Sequence, residues 1–166
     1  MKQAIELEKT ISEKKAELAT MEAELDSMKD DDMVGRKALA EKLITLDMSI
    51  DDLTEELNIA KMFEVKVGDG VTRHLYTDAE ACTVIARTAN TITIRDDKAT
   101  LNREKSHLTF TPGGFAGHTE GHQEYDYEED VHGSVHKARW SEKRQGFVCD
   151  GKKLTLGRHK FYDYNF

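Results

Sequence analysis

LAEKLITLDMSIDDLTEELNIA, residues 39–60, carries the pattern from which the architecture follows. Leu39, Leu43, Leu46, Ile50, Leu53, Leu57 and Ala60 follow one another at alternating steps of four and three. Such a step averages about 3.5 residues, which keeps a narrow apolar stripe on one face of a supercoiled helix. The same rhythm runs through Ala4, Leu7, Ile11, Lys14, Leu18, Met21, Leu25 and Met28, with Lys14 its one polar member. A lysine can lay its methylene stem along a seam and still hold its amine in water. Neither run contains proline, and between them lies Lys29-Asp30-Asp31-Asp32-Met33-Val34-Gly35, whose carboxylates and glycine favour a turn. Asp31 and Asp32 are both candidates to cap the second helix. Residues 1–62 therefore read as an antiparallel, coiled-coil-like helical hairpin. Ile44, Met48 and Ile59 widen its second stripe, which points to packing beyond the hairpin itself and hence to oligomerisation.

The texture changes after Met62. Phe63–Val67 alternates and leads into Gly68-Asp69-Gly70, a tight-turn signal. Strands are predicted at Val71–Tyr76, Ala81–Arg87, Thr91–Arg95, Lys98–Leu101, His107–Thr111, Gln123–Tyr127, Ser134–Trp140, Gly146–Cys149 and Lys153–Leu156. Asp96-Asp97 is expected to turn the chain so that Lys98–Leu101 pairs back. Short strands at this spacing suggest a meander curling into a small barrel. The fold class expected is thus α+β: a helical hairpin followed by a small antiparallel, barrel-like β domain over residues 63–166 that carries ligand binding.

Composition narrows the function. The net charge is −8, of which −7 lies in residues 1–62 (9 Lys and Arg against 16 Asp and Glu). Broad binding to polymeric nucleic acid needs a dense cationic footprint, so it is not expected. No apolar run is long enough to span a bilayer, no apolar leader is visible, and Cys82 and Cys149 stand far apart. No membrane partner is expected. His118 and His122, like His132 and His136, are four apart, a spacing that converges on a metal only within a helix; here they sit in loop and strand, and no metal site is expected. Nucleophile-and-base motifs are absent, so no enzyme activity and no cofactor are expected.

What remains is anion chemistry. Arg87 and Arg95 flank the clearest hairpin, Arg139 precedes Trp140, and Arg158 precedes an ending with four aromatics. A guanidinium holds phosphate bidentately, and an aromatic plane stacks a base. Pro112–Gly117 offers backbone amides that can cradle phosphate, with Phe115 as a large apolar side chain among glycines.

Arg95-Asp96-Asp97-Lys98-Ala99, Pro112-Gly113-Gly114-Phe115-Ala116-Gly117-His118, Trp140-Ser141 and Tyr162-Asp163-Tyr164-Asn165-Phe166 resemble small proteins common in phage and prophage genomes. Among these the chain is similar to the phage anti-defence sponge proteins that counter the Thoeris system. The resemblance covers residues 63–166, and the hairpin matches as an assembly element. It implies a viral protein in the host cytoplasm that sequesters cyclic ADP-ribose isomers without cleaving them. It also implies a homo-oligomer, dimer or hexamer; some members trap cyclic oligonucleotides at a second site made by assembly. Carried over, it makes Phe115 and Arg158 ligand contacts, joined by Arg87, Arg95 and Trp140. The alternative is an SH3-like protein-interaction module on a helical stalk that blocks a host protein; a hydrolase is the third reading.

Overall fold

The computed structural model of the protein describes residues 2–29, 32–113 and 117–165. It divides into two compact units, Met1–Glu64 and Val65–Phe166.

The first unit is the hairpin of α1 (Lys2–Ser27) and α2 (Met33–Glu64). Ala4, Ile11, Ile50 and Leu57 form its buried core, with Leu7, Leu18, Leu46 and Leu53 half-buried against it. These are seam residues of both runs, as a period of about 3.5 requires. Lys14 is half-buried, in keeping with a stem laid along the seam. Ion pairing of Lys61 with Glu8 (2.6 Å) ties the end of α2 to the start of α1. Asp32 is the cap of α2: its Oδ1 accepts from the Gly35 N–H at 2.9 Å. Asp31 lies outside the described residues. Arg36 reaches back from α2 and donates to the carbonyls of Leu25 and Met28, satisfying acceptors that the end of α1 leaves open. No helix among the described residues is long and apolar enough to cross a membrane.

Phe63–Val67 does not form the strand its alternation predicts. Helix α2 continues through Glu64, and the next residues turn, with the Lys66 N–H donating to Asp69 Oδ2 and Gly68 at a positive φ of 94°. Five residues of alternation are too few to outweigh the end of a long helix.

The second unit contains β1 (Gly70–His74), β2 (Ala79–Arg87), β3 (Thr91–Asp96), β4 (Lys98–Leu101), β5 (His107–Thr111), β6 (His118–His122), β7 (Tyr125–Glu128), β8 (Val135–Ser141), β9 (Gly146–Cys149), β10 (Lys152–Lys153) and β11 (Thr155–Leu156). Seven form one antiparallel sheet in the order β10-β9-β8-β3-β2-β1-β11. Its two edges, β10 and β11, are consecutive in the chain with only Leu154 between them. The sheet must therefore curl until its edges meet, giving a nearly closed barrel. The predicted strand Lys153–Leu156 is real but bent at Leu154, its first half pairing β9 and its second half β1. Val71, Val84, Ile92, Ile94, Ala138, Phe147 and Leu154 fill the interior and are almost wholly buried.

Asp96-Asp97 does not fold β4 back onto β3. Strand β4 pairs β7, and β5 pairs β6, so residues 98–128 make a two-stranded arm between β3 and β8. The arm's outer section is exposed: every residue of β5 faces solvent. The chain's final segment is docked by its backbone more than by its rings. Ala79 and Phe161 exchange both backbone hydrogen bonds, Gln123 bonds the backbone of Tyr162, and Asn165 bonds both backbone groups of Thr119. Phe161, Tyr162 and Tyr164 themselves stay partly exposed.

Candidate functional site

Directly opposed residues of neighbouring strands share a face of the sheet, so register sorts the barrel's polar groups into two sets. The first closes one end of the interior. Cys82 stands opposite Asp96, and Ile94 opposite His136. Asp96 accepts from Arg73 Nη2 with both oxygens (3.2 and 3.1 Å), from Cys82 Sγ (3.2 Å) and pairs with His136 Nε2 (3.2 Å). Arg73 is 8% exposed. Burial alone would lower its pKa, but the charge and hydrogen bonds of Asp96 outweigh that and raise it, holding the guanidinium charged. Burial, then Asp96, pushes the Cys82 thiol up; burial and Asp150 push Cys149 up to about 11. Neither thiol is a thiolate nucleophile at neutral pH. No sequence motif announced this cluster, because its members come from four strands.

The second set lies on the outer face. Thr91, Thr93 and Arg95 of β3 stand opposite Arg139, Lys137 and Val135 of β8. The side chains of Arg95, Lys137 and Arg139 make no ion pair or hydrogen bond with any described residue, and Arg95 Nε is buried without a partner. Elsewhere in the β domain Arg73 is paired by Asp96, Lys98 by Glu128, Arg158 by Asp97 and Lys160 by Glu80. Across Arg95 on β2 stands Thr83, whose hydroxyl donates to Asp97 Oδ1 (2.7 Å) and accepts from Arg158 Nη2 (2.7 Å). Arg158 Nε also donates to Asp97 Oδ2 at 2.7 Å. Its stem lies so close to Gly70 that a Cβ there would come within 2.7 Å of Arg158 Cγ, which only glycine avoids.

Of the five residues expected to contact ligand, the four described ones do not converge on one pocket. Arg95 and Arg158 flank Thr83 on the outer face. Arg87 and Trp140 meet instead at the barrel's other end, around Phe147. Trp140 packs edge-on against Phe147 (centroids 5.3 Å, 79°), and Arg87 Cζ lies 5.8 Å from the same ring while Nη1 donates to the Val65 carbonyl. A register shift between Val84 and Ala86 places Arg87 opposite Ile92, an interior residue. Arg139 and Trp140, adjacent in sequence, point to opposite faces, as strand neighbours must. Phe115 lies outside the described residues. The histidine pairs behave as strand and turn residues: His118 and His122 lie on β6, His132 in the turn before β8 and His136 on β8.

His74 supplies a pH handle. Burial, then the nearby His159 and Lys152, lowers its pKa, while Nε2 meets Thr155 Oγ1 at 3.0 Å. The folded state therefore binds fewer protons here than the unfolded chain. This contribution to stability is complete above the ordinary histidine range of about 6.5 and is lost as pH falls below it. Melting curves at pH 7.5 and 5.5 should show a smaller acid-induced fall in Tm for His74→Gln than for the parent; equal falls would exclude the effect.

Fold and site together define an α+β protein, a helical hairpin with a nearly closed antiparallel barrel that has one polar interior end and one basic outer face. No family model, no curated protein and no solved structure matches the chain.

Proposed function

We propose that the β domain captures a small phosphorylated ligand of the cyclic-nucleotide class on its basic outer face and holds it without cleaving it, in the manner of a phage anti-defence sponge acting in the host cytoplasm. The observation carrying this is the set Arg95, Lys137 and Arg139, unpartnered among the described residues of a β domain whose 15 basic and 16 acidic residues nearly balance. Cations left without carboxylates while carboxylates are present in equal number suit an anionic ligand, and guanidinium pairs with phosphate more strongly than with water. Thr91 and Thr93 beside them offer hydroxyls to ribose and phosphate oxygens. Cyclic ADP-ribose isomers fit this class by charge and by their many acceptors. The apolar flank beside the hairpin seam, with Ile44 and Met48 more than 60% exposed, supports assembly of the chain into a homo-oligomer, dimer or hexamer.

Incubating the purified protein with the product of a TIR-domain enzyme and then heating it tests the reading. Intact ligand should be depleted from solution and return on denaturation; chemically altered ligand would make the protein an enzyme instead. Arg95→Ala and Arg139→Ala should each weaken capture about tenfold or more, since hydrogen bonds to charged groups contribute about 1.5–3 kcal/mol. Capture unchanged in both would remove the outer face from consideration.

The alternative is a protein-interaction module, and the exposed arm favours it, with Leu108 and Phe110 on one of its faces. Native mass spectrometry with a bacterial small-molecule extract separates the two. A protein-binding module retains no small mass.

A further inference from the structure

The polar end of the barrel holds a donor set that anion binding leaves unused. One ring nitrogen of His136, Sγ of Cys149 and a carboxylate oxygen of Asp150 lie within 4.8 Å of one another. They come from neighbouring elements of the sheet: His136 from β8, Cys149 from the end of β9, and Asp150 from the two-residue turn into β10. We infer that His136, Cys149 and Asp150 bind a zinc-class divalent metal ion, with Asp96 as the outer carboxylate that orients His136.

Four features converge on this assignment. The ligand types are the nitrogen, thiolate and carboxylate that zinc takes. The spacing fits: a tetrahedral zinc with its usual S and O bond lengths spans an S···O edge of about 3.6 Å, and Cys149 Sγ lies 3.6 Å from Asp150 Oδ2. A carboxylate also engages the histidine, Asp96 Oδ2 meeting His136 Nε2 at 3.2 Å, so a metal on His136 would be bound through Nδ1. Such carboxylate–histidine–zinc relays fix both tautomer and ring orientation. The charges close as well. Arg73 and Asp96 neutralise each other, so a Cys149 thiolate and the Asp150 carboxylate together match a divalent cation.

Metal-free, burial and then the adjacent Asp150 push the Cys149 thiol up, so it keeps its proton. Binding replaces that thiol proton with the metal and releases it to solvent, one proton per site. Water would complete the fourth position, since the three donors come from protein and Asp150 is open to solvent. Bridging β8 to the β9–β10 turn, the ion would pin the corner where the sheet closes on itself.

Cobalt(II) is the probe. Added to the chelator-treated full chain, it should bind one per chain, produce a thiolate-to-metal charge-transfer band and release one proton into a weak buffer. Asp150→Asn is the decisive variant. Asn-Gly suits a two-residue hairpin turn as well as Asp-Gly does, so the fold survives while the carboxylate is lost. It should weaken cobalt binding at least about tenfold, the smallest loss expected even from removing a group outside the ligand sphere. Cys149→Ser should abolish the band, and Cys82→Ser should keep it. Absence of the band in the parent, parent-like affinity in Asp150→Asn, or a band that follows Cys82 and not Cys149 would each overturn the assignment. Weak binding through the exposed histidines of the arm produces no thiolate band and counts against it as well.

Discussion

Asp96→Ala should cost the β domain about 3 kcal/mol, because it strips the one carboxylate that, among the described residues, pairs with an almost wholly buried guanidinium. The usual range for breaking such a pair is about 3–5 kcal/mol, and the lower end applies because the Asp96 side chain is 22% exposed. Water can partly replace it there. For a domain of this size the Tm should fall by roughly 12–24 °C, measured with chelator present so that no metal contributes. Cys82 and His136 lose their shared acceptor at the same time, whereas Arg73 Nε is unpartnered from the start. Replacing both charges, Arg73→Leu with Asp96→Leu, should recover part of the loss, because an apolar pair leaves no uncompensated charge. A double variant as unstable as the sum of the two singles would show that Arg73 and Asp96 act independently, contrary to their geometry.

The second large effect belongs to the hairpin. Leu46→Glu with Leu53→Glu places two carboxylates on residues that pack against the Ala4, Ile11, Ile50 and Leu57 core. Both leucines are half-buried, so the lost transfer free energy is about 1 kcal/mol each, and desolvating the new charges brings the total to about 3 kcal/mol. A two-helix unit has little stability to lose, so circular dichroism should report a substantial loss of helix. Light scattering should report a smaller particle. Ile44→Glu with Met48→Glu separates assembly from folding, since these side chains are exposed and outside the hairpin core. That variant should keep its helix content and still lose oligomerisation. If it assembles like the parent, the widened stripe is not the interface. If it becomes monomeric yet captures ligand unchanged, the hairpin is a stalk and contributes nothing to binding.

The hairpin was legible because its signal is local. Every seam position from Ala4 to Met28 and from Leu39 to Ala60 is buried or half-buried, among neighbours that are mostly exposed. Strand positions were legible for the same reason, with Thr91–Arg95 extended only by Asp96 and Gly146–Cys149 as expected. The exceptions are instructive. Strand β6 was hidden in a glycine- and histidine-rich stretch with no apolar alternation, because the arm's outer section, β5 and β6, packs on no core. Phe63 and Glu64 alternate like a strand and belong to a helix. For the site, sequence reasoning selected arginines beside aromatics, and Arg95 and Arg158 do share the outer face. It also joined Arg139 to Trp140, which the pleat sends to opposite sides.

Local sequence thus specifies most of the elements and the division into hairpin and β domain, since heptad rhythm and period-two alternation depend on residues a few places apart. Tertiary structure alone decided which strands meet and in what register. That register bends residues 152–156 into the closing strand, turns Arg87 inward through a bulge, and gathers Arg73, Cys82, Asp96, His136 and Cys149 from five strands at one barrel end. Pairing is a long-range choice in which a shift of one residue exchanges the two faces of a strand. No local pattern specifies it, so the polar end and the unpartnered basic face appear only once the barrel is closed.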